Sequence, residues 1–433
     1  MIREEQFDAD RAADRRMALA REWDELLEQV RTLDGFEHFL KPPRLETLLL
    51  DDPENAVAVV NVSPWRCDAL LVRNAGVKSR ELPNLTAADA RERANEYLRV
   101  LRRAETAADE VEAARERVHA GGSVADRQAL QRAVRVMSDA RADIEAMLTA
   151  LLAWLWEVVA EPVLSALGHD GPLPEHSVWP RLWWCPTGPL ALLPLHAAGH
   201  HDDPERTVID RVVSSYTPTL RALMEAGKPL EEPGLERRLL VVAQSNTPGQ
   251  RPLDGVADEL EVLAKLFPAP VCTVLQNEEA DRATVRAELR RHRWVHFSCH
   301  GDQILHDPSQ GGLVLHDGML TVADIASTHY SAEFAGLSAC KTATGGIDLL
   351  DETITLVAAL HYSGFRHVVG TLWSVYDAPE TTDLFRELYS SMTVNGRLRP
   401  ELSARSLHAA VRKLRDLHPR HPSVWTPFTH TGP

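Results

Sequence analysis

The chain has 433 residues, 44% of them hydrophobic and 25% charged, which supplies a large core and argues against a wholly disordered chain. Its 63 acidic residues outweigh 47 basic ones to leave a net charge of −16, so the surface repels phosphate backbones and general nucleic-acid binding is not expected. The five cysteines (Cys67, Cys185, Cys272, Cys299, Cys340) are scattered and contain no C-x-x-C pair, which indicates neither a disulfide framework nor a cysteine zinc site.

No apolar run reaches the roughly 18 residues that a membrane span needs. The most apolar stretch, Met147 to Leu167, is broken by Glu157, Glu161 and Pro162, and Met1 to Asp14 lacks the cationic start and apolar core of a secretory signal. A cytoplasmic protein that does not engage membranes is the expectation.

Residues 1–41 read as a helical segment, with Phe7, Met17, Leu19, Trp23, Leu26, Leu27, Val30 and Leu33 recurring at three- and four-residue steps until Lys41-Pro42-Pro43. Residues 42–85 form a short β segment, in which AVAVVNV (56–62) and DALLV (68–72) flank a Ser63-Pro64 turn as a strand pair. Residues 86–170 predict a helical hairpin, opened by Thr86 as N-cap and broken at Gly121-Gly122-Ser123. Its Arg/Glu alternation reads as a solvated face with i,i+4 pairs and carries no chemistry.

From residue 171 to 433 the texture changes. β-like runs at 238–243, 271–275, 294–300, 312–315, 334–340 and 367–373 alternate with helical segments at 254–267, 283–292 and 350–363. This alternation predicts βαβ units, hence an α/β fold with a mainly parallel sheet sandwiched by helices.

Such sheets bind ligands beyond the C-terminal ends of their strands. Two residues stand there: His300 ends WVHFSCH, and Cys340 ends FAGLSAC, 40 positions later. If their strands are neighbours, the imidazole can take the proton of the thiol and return it to a leaving amine. Gly301 would permit a sharp turn and offer an N–H to a tetrahedral oxyanion, with the N–H of Cys340 as second donor. Against this, a histidine after a strand is unremarkable among 19, and a cysteine in an apolar strand is ordinarily a packing residue.

The segments HFSCHG (296–301) and LSACKTA (337–343) resemble the two signature blocks of the CHAT domain, a caspase-like cysteine peptidase family related to separases and caspases. The resemblance extends to WWCPTGPLALLPLHAA (183–198), SSYTPTL (214–220), GGLVLHDGMLT (311–321), Asp351-Glu352, GFRHVVGTLWSVYD (364–377) and WTPFTHTGP (425–433). It implies a caspase-like fold, with residues 42–85 either a separate β segment or a degenerate first half of its sheet. It also implies a cysteine endopeptidase without cofactor or metal, in which His300 is the general acid/base and Cys340 the nucleophile. By the same resemblance Asp377, after Leu372-Trp373, would favour a basic side chain in the substrate; its alternative role is a helix N-cap ahead of Glu380. The expected partners are a protein or peptide substrate and an activating protein sensed through residues 1–40 or 86–167. The competing reading is a non-catalytic caspase-like scaffold.

Other signals are weaker. GLSAC (336–340) misses the G-x-S-x-G elbow at its last position, and no G-x-x-x-x-G-K-[ST] loop is present. His196, His200 and His201 with Asp202 and Asp203, and His418 with His421, have no recognised metal-ligand spacing and read as surface loops. The ten tryptophans read mostly as core residues.

Overall fold

A computed structural model describes residues 2–433 apart from 38, 42–44, 51, 175–176, 229–235, 270, 303, 305–306, 339–354 and 374–378. The chain divides into two compact units, Met1–Leu49 and Leu50–Pro433. The described residues of the first include α1 (Ile2–Arg31) and a 3₁₀ turn at Leu45–Leu48, with Met17, Leu19, Trp23 and Leu26 exposed along α1.

The second unit begins with a meander, β1 (Ala56–Asn61), β2 (Asp68–Arg73) and β3 (Gly76–Glu81), in which Val57 faces Val72 and Asn61 faces Asp68. The strand pair was legible, whereas β3 was not. Its sequence GVKSRE offers a single large apolar residue because it is an edge strand, whose charges discourage further pairing.

The helical hairpin follows as α2 (Ala87–His119) and α3 (Val124–Leu155). Thr86 accepts the Asp89 N–H at 3.0 Å, and Ser123 with Asp126 closes a capping box at the start of α3. The helical run then passes Pro162 without breaking. Proline has no N–H to return to the preceding turn, and a π-helical turn at Trp156–Ala160 absorbs the mismatch before α4 (Glu161–Leu167).

The expectation about membrane-length segments needs correction. Among the described residues one helical run, Val124–Leu167, is long and apolar enough, despite scattered charges, to cross a membrane by length and composition. More than half of its most apolar stretch is buried inside the molecule, where Leu148, Leu152, Leu155 and Trp156 pack in the core.

Next come β4 (Arg181–Pro186), β5 (Val213–Tyr216), α5 (Leu220–Gly227), β6 (Glu236–Ala243), α6 (Gly255–Leu266), β7 (Cys272–Gln276) and α7 (Arg282–Leu289). They are followed by β8 (His292–Ser298), β9 (His300–Asp302), β10 (Gly312–Leu315), β11 (Gly318–Thr321), α8 (Val322–Ala326), β12 (Ala332–Leu337), α9 (Leu356–Tyr362) and β13 (Phe365–Thr371). The chain closes with α10 (Pro379–Met392), a small hairpin of β14 (Thr393–Val394) and β15 (Arg397–Leu398), α11 (Ser403–Leu417), α12 (Pro422–Trp425) and β16 (Phe428–Thr431).

Eleven described strands form one sheet in the order β3-β2-β1-β4-β5-β16-β13-β12-β8-β6-β7. Pairing is parallel from β1 through β4 and β5 to β16, and again from β13 through β12, β8 and β6 to β7. Antiparallel pairs occur at β16 with β13 and within the β1–β3 meander, so residues 56–81 continue the same sheet.

Both faces are covered. Successive residues of β6 point to opposite sides: Leu239 and Val241 belong to the same core layer as Leu263 of α6 and Leu388 of α10, whereas Leu240 and Val242 belong to the layer of Val285 of α7 and Leu360 of α9. This two-sided burial is why the central strands read as continuous apolar runs. The helical hairpin packs elsewhere in the core, and Tyr97 of α2 meets Trp373, just past β13, edge to face at 5.8 Å. Trp23 and Trp65 depart from the core expectation and are exposed.

Helix α9 begins at Leu356, with Thr355 accepting the Ala358 N–H, and residues 350–354 of the expected helix lie outside the described residues. It ends at a turn that requires glycine. Gly364 has φ of +111°, and a Cβ there would lie 1.8 Å from the Tyr330 carbonyl oxygen. Gly364→Ala is expected to cost about 3 kcal/mol or more, read as a lowered urea midpoint, because backbone strain and overpacking add. An unchanged midpoint would refute this geometry.

Candidate active site

The strands β6, β8 and β12 lie side by side and end at one edge of the sheet. Ala243 faces Ser298 across β6 and β8, and Phe297 faces Leu337 across β8 and β12. The Gln244 N–H donates to the Ser298 carbonyl at 2.8 Å, and the Ser338 N–H donates to the Phe297 carbonyl at 2.9 Å. Parallel pairing thus brings the ends of WVHF and FAGL together, the position from which open α/β sheets present their chemistry.

His300 stands just beyond β8. The chain bends at Cys299, before the histidine, and Gly301 is an extended residue of β9 opposite Leu313 of β10. The sharp turn assigned to Gly301 therefore falls one residue ahead of His300. A small antiparallel sheet of β9, β10 and β11 holds His300 from one side, with Val314 as its partner across the ladder.

From another side comes a backbone carbonyl. His300 is nearly buried, and its Nε2 lies 2.8 Å from the Arg251 carbonyl oxygen. A carbonyl can only accept, so Nε2–H donates and, in the neutral ring, the basic lone pair is on Nδ1. The loop that delivers this carbonyl is tied at its base, where the Leu253 N–H donates to the Ser245 carbonyl at 2.9 Å. Asn277, with φ of +46°, secures it further, its Oδ1 accepting from Ser245 Oγ at 3.2 Å and from the Asn246 N–H at 3.1 Å.

Cys340 comes three residues after the end of β12 in sequence, and it lies outside the described residues, as does Asp377. The other thiols are described. Cys67, Cys185 and Cys299 are buried and Cys272 is half-buried, and desolvation pushes the Cys185 and Cys272 thiols up to about 11. Neither is primed as a nucleophile.

A buried polar cluster beneath these strand ends escaped the sequence reading. Glu259 of α6 accepts from Ser298 Oγ at 2.5 Å, from His296 Nε2–H at 3.2 Å and from Ser338 Oγ, while His296 Nδ1 accepts from the Tyr389 hydroxyl of α10 at 3.1 Å. Burial, followed by the nearby Glu259 charge, holds the Tyr389 hydroxyl well above its ordinary range, so it stays protonated as a donor. The signal was present in the sequence: Glu259 interrupts the buried α6 face of Val256, Val262 and Leu263.

The candidate metal ligands take other partners. His196 is buried rather than on a surface loop, its Nε2–H donating to the Thr426 carbonyl at 3.0 Å while Nδ1 accepts from the Tyr216 hydroxyl at 2.9 Å. His200 meets Glu157 at 2.8 Å and His201 meets the Ala197 carbonyl at 2.8 Å. Among the described residues no group of three His, Cys, Asp or Glu side chains could hold a metal ion.

The covered, mainly parallel sheet with its histidine beyond a central strand defines a caspase-like α/β protein. The CHAT domain model matches residues 149–433, and the chain belongs to that family. Two crystal structures of the Saccharomyces cerevisiae separase-securin complex are similar in fold, each at 12% identity and 90% coverage of this chain, with TM-scores of 0.53 and 0.56. The chain spans 30% of the length of the separase chain it matches. No curated protein matches the sequence.

Proposed function

We propose that the protein is a cysteine endopeptidase that cleaves a protein substrate through His300 and Cys340. The observation that carries this reading is the hydrogen bond from His300 Nε2–H to the Arg251 carbonyl at the edge where β8 and β12 end together. That bond orients the imidazole and makes Nδ1 the basic nitrogen, the one that would take the thiol proton.

The thiolate attacks the scissile carbonyl, and the N–H groups of Gly301 and Cys340 receive the oxyanion. The imidazolium then protonates the leaving amine, and a thioester links Cys340 to the acyl fragment. Water, deprotonated by His300, attacks the thioester, and the thiolate leaves and regains its proton. Asp377 would select a basic side chain next to the cleaved bond by opposite charge. The reading includes a latent state released by a protein partner through residues 1–40 or 86–167, and a reducing cytoplasm that preserves the thiol.

A thiol-reactive peptide probe tests it. The probe is expected to label Cys340 in the wild-type protein and to leave His300→Ala unlabelled. Equal labelling of the two, or none with any activating partner, would favour the non-catalytic scaffold.

A further inference from the structure

The carboxylate of Glu259 is only 5% exposed and sits in the apolar face of α6. An ionised group there is costly unless donors surround it, and here three converge on it. Two of them occupy matching places in the sequence. Ser298 stands two residues before His300, and Ser338 stands two residues before Cys340. One oxygen of the carboxylate takes the first serine and the other oxygen takes the second.

We propose that Glu259 is a positioning residue for the dyad, a two-pronged clamp that holds the ends of β8 and β12 together where the described ladder between them runs out. The inference rests on the peptidase reading and adds the residue that sets the spacing of its two reacting groups. The last described backbone bond between these strands is the one from the Ser338 N–H to the Phe297 carbonyl. At the same level the two serine hydroxyls add a side-chain connection through the carboxylate. His296 braces the carboxylate and is itself braced by Tyr389.

The packing around this relay leaves no slack. A Cβ on Gly336 of β12 would stand 2.7 Å from the Tyr389 hydroxyl and 3.2 Å from His296 Nδ1, so the strand carries a bare backbone where the relay passes. The cluster is not a second nucleophilic site. Both serines donate to the carboxylate, so neither hydroxyl is directed to an imidazole that could activate it. What the cluster can do is fix geometry, and a displacement of about 1 Å between reacting groups costs on the order of a hundredfold in rate.

The test measures alkylation of Cys340 by iodoacetamide in the full chain, located by peptide mass spectrometry, across pH. Glu259→Gln keeps the size of the side chain but replaces one acceptor oxygen with a donor. It is expected to slow Cys340 alkylation at pH 7 by about tenfold or more and to move the midpoint of the pH profile toward the ordinary thiol value near 8.5. Ser338→Ala, which removes one prong, should give a smaller change in the same direction. In the His300→Ala background Glu259→Gln should add little, because both changes act through the same pair.

Cys272 reports general opening, and its rate should stay unchanged. If His300→Ala slows alkylation while Glu259→Gln and Ser338→Ala both leave rate and profile within twofold of wild type, the clamp is wrong and the peptidase reading stands. If His300→Ala itself has no effect, the peptidase reading fails and the clamp fails with it. Should Glu259→Gln not fold, Ser338→Ala decides by the same criteria.

Discussion

Cys340→Ala and His300→Ala are each expected to lose cleavage by about ten-thousandfold or more, and the double variant to be no worse than either single one. The reason is chemical. Without the thiol there is no acyl-enzyme, and without the imidazole the thiol keeps its proton and the leaving amine receives none. Stability should change far less. His300 makes a hydrogen bond to the Arg251 carbonyl, and leaving that acceptor unpaired costs about 1–3 kcal/mol, which a chain of this size tolerates. The measurement compares cleavage products in a lysate of the source cell treated with wild type or with each variant, alongside near-ultraviolet circular dichroism of the purified proteins. Products that persist with Cys340→Ala would end the assignment of that residue as nucleophile.

The second large effect is on stability in mild acid. Burial pushes His196 and His201 down to about 4, and His367 and His408 down to about 3. His430, buried beside His367, is lowered well below its ordinary value. Each imidazole is neutral in the fold yet takes a proton near pH 6.5 in the unfolded chain. The stability they confer is therefore complete above pH 6.5. It falls as the pH drops below 6.5 and is fully lost only at about pH 3–4.

With roughly four protons taken up on unfolding, stability should fall by about 5 kcal/mol per pH unit between 6 and 5. Two carboxylates held low in the fold act mainly below this window. Asp210 and Asp324 are each raised by burial but held below the ordinary value on balance, Asp210 by its hydrogen bonds and ion pair with Arg415 and Asp324 by Thr321, so their contribution is lost as the pH falls through the ordinary carboxylate range, about 4, and below. Urea midpoints measured from pH 8 to pH 5 check the slope. Replacing one of these five histidines with Asn should reduce it by about a fifth, whatever happens at neutral pH. A flat profile from pH 8 to 5 would contradict the burial of these rings.

Much of the architecture could be read from local pattern. The Thr86 cap, the helical hairpin and the alternation of strands and helices after residue 236 all declare themselves through three- and four-residue spacing, capping chemistry and short apolar runs. What could not be read has a common cause. The edge strand β3 carries charges that look like a loop, the closing strand β16 is four residues long, and the strand WVHFSCH breaks at Cys299 because a separate small sheet captures His300. Each depends on a partner distant in sequence.

The same division runs through the site. The family, the parallel sheet and the placement of His300 beyond a strand are legible along the linear chain, because periodicity and motif order are local properties. That the Arg251 carbonyl orients His300, and that Glu259 bonds to both strand ends, emerges from the folded chain alone. Those contacts join residues 37 to 79 positions apart, and a hydrogen bond between such residues exists only once the sheet and its covering helix have set the distance.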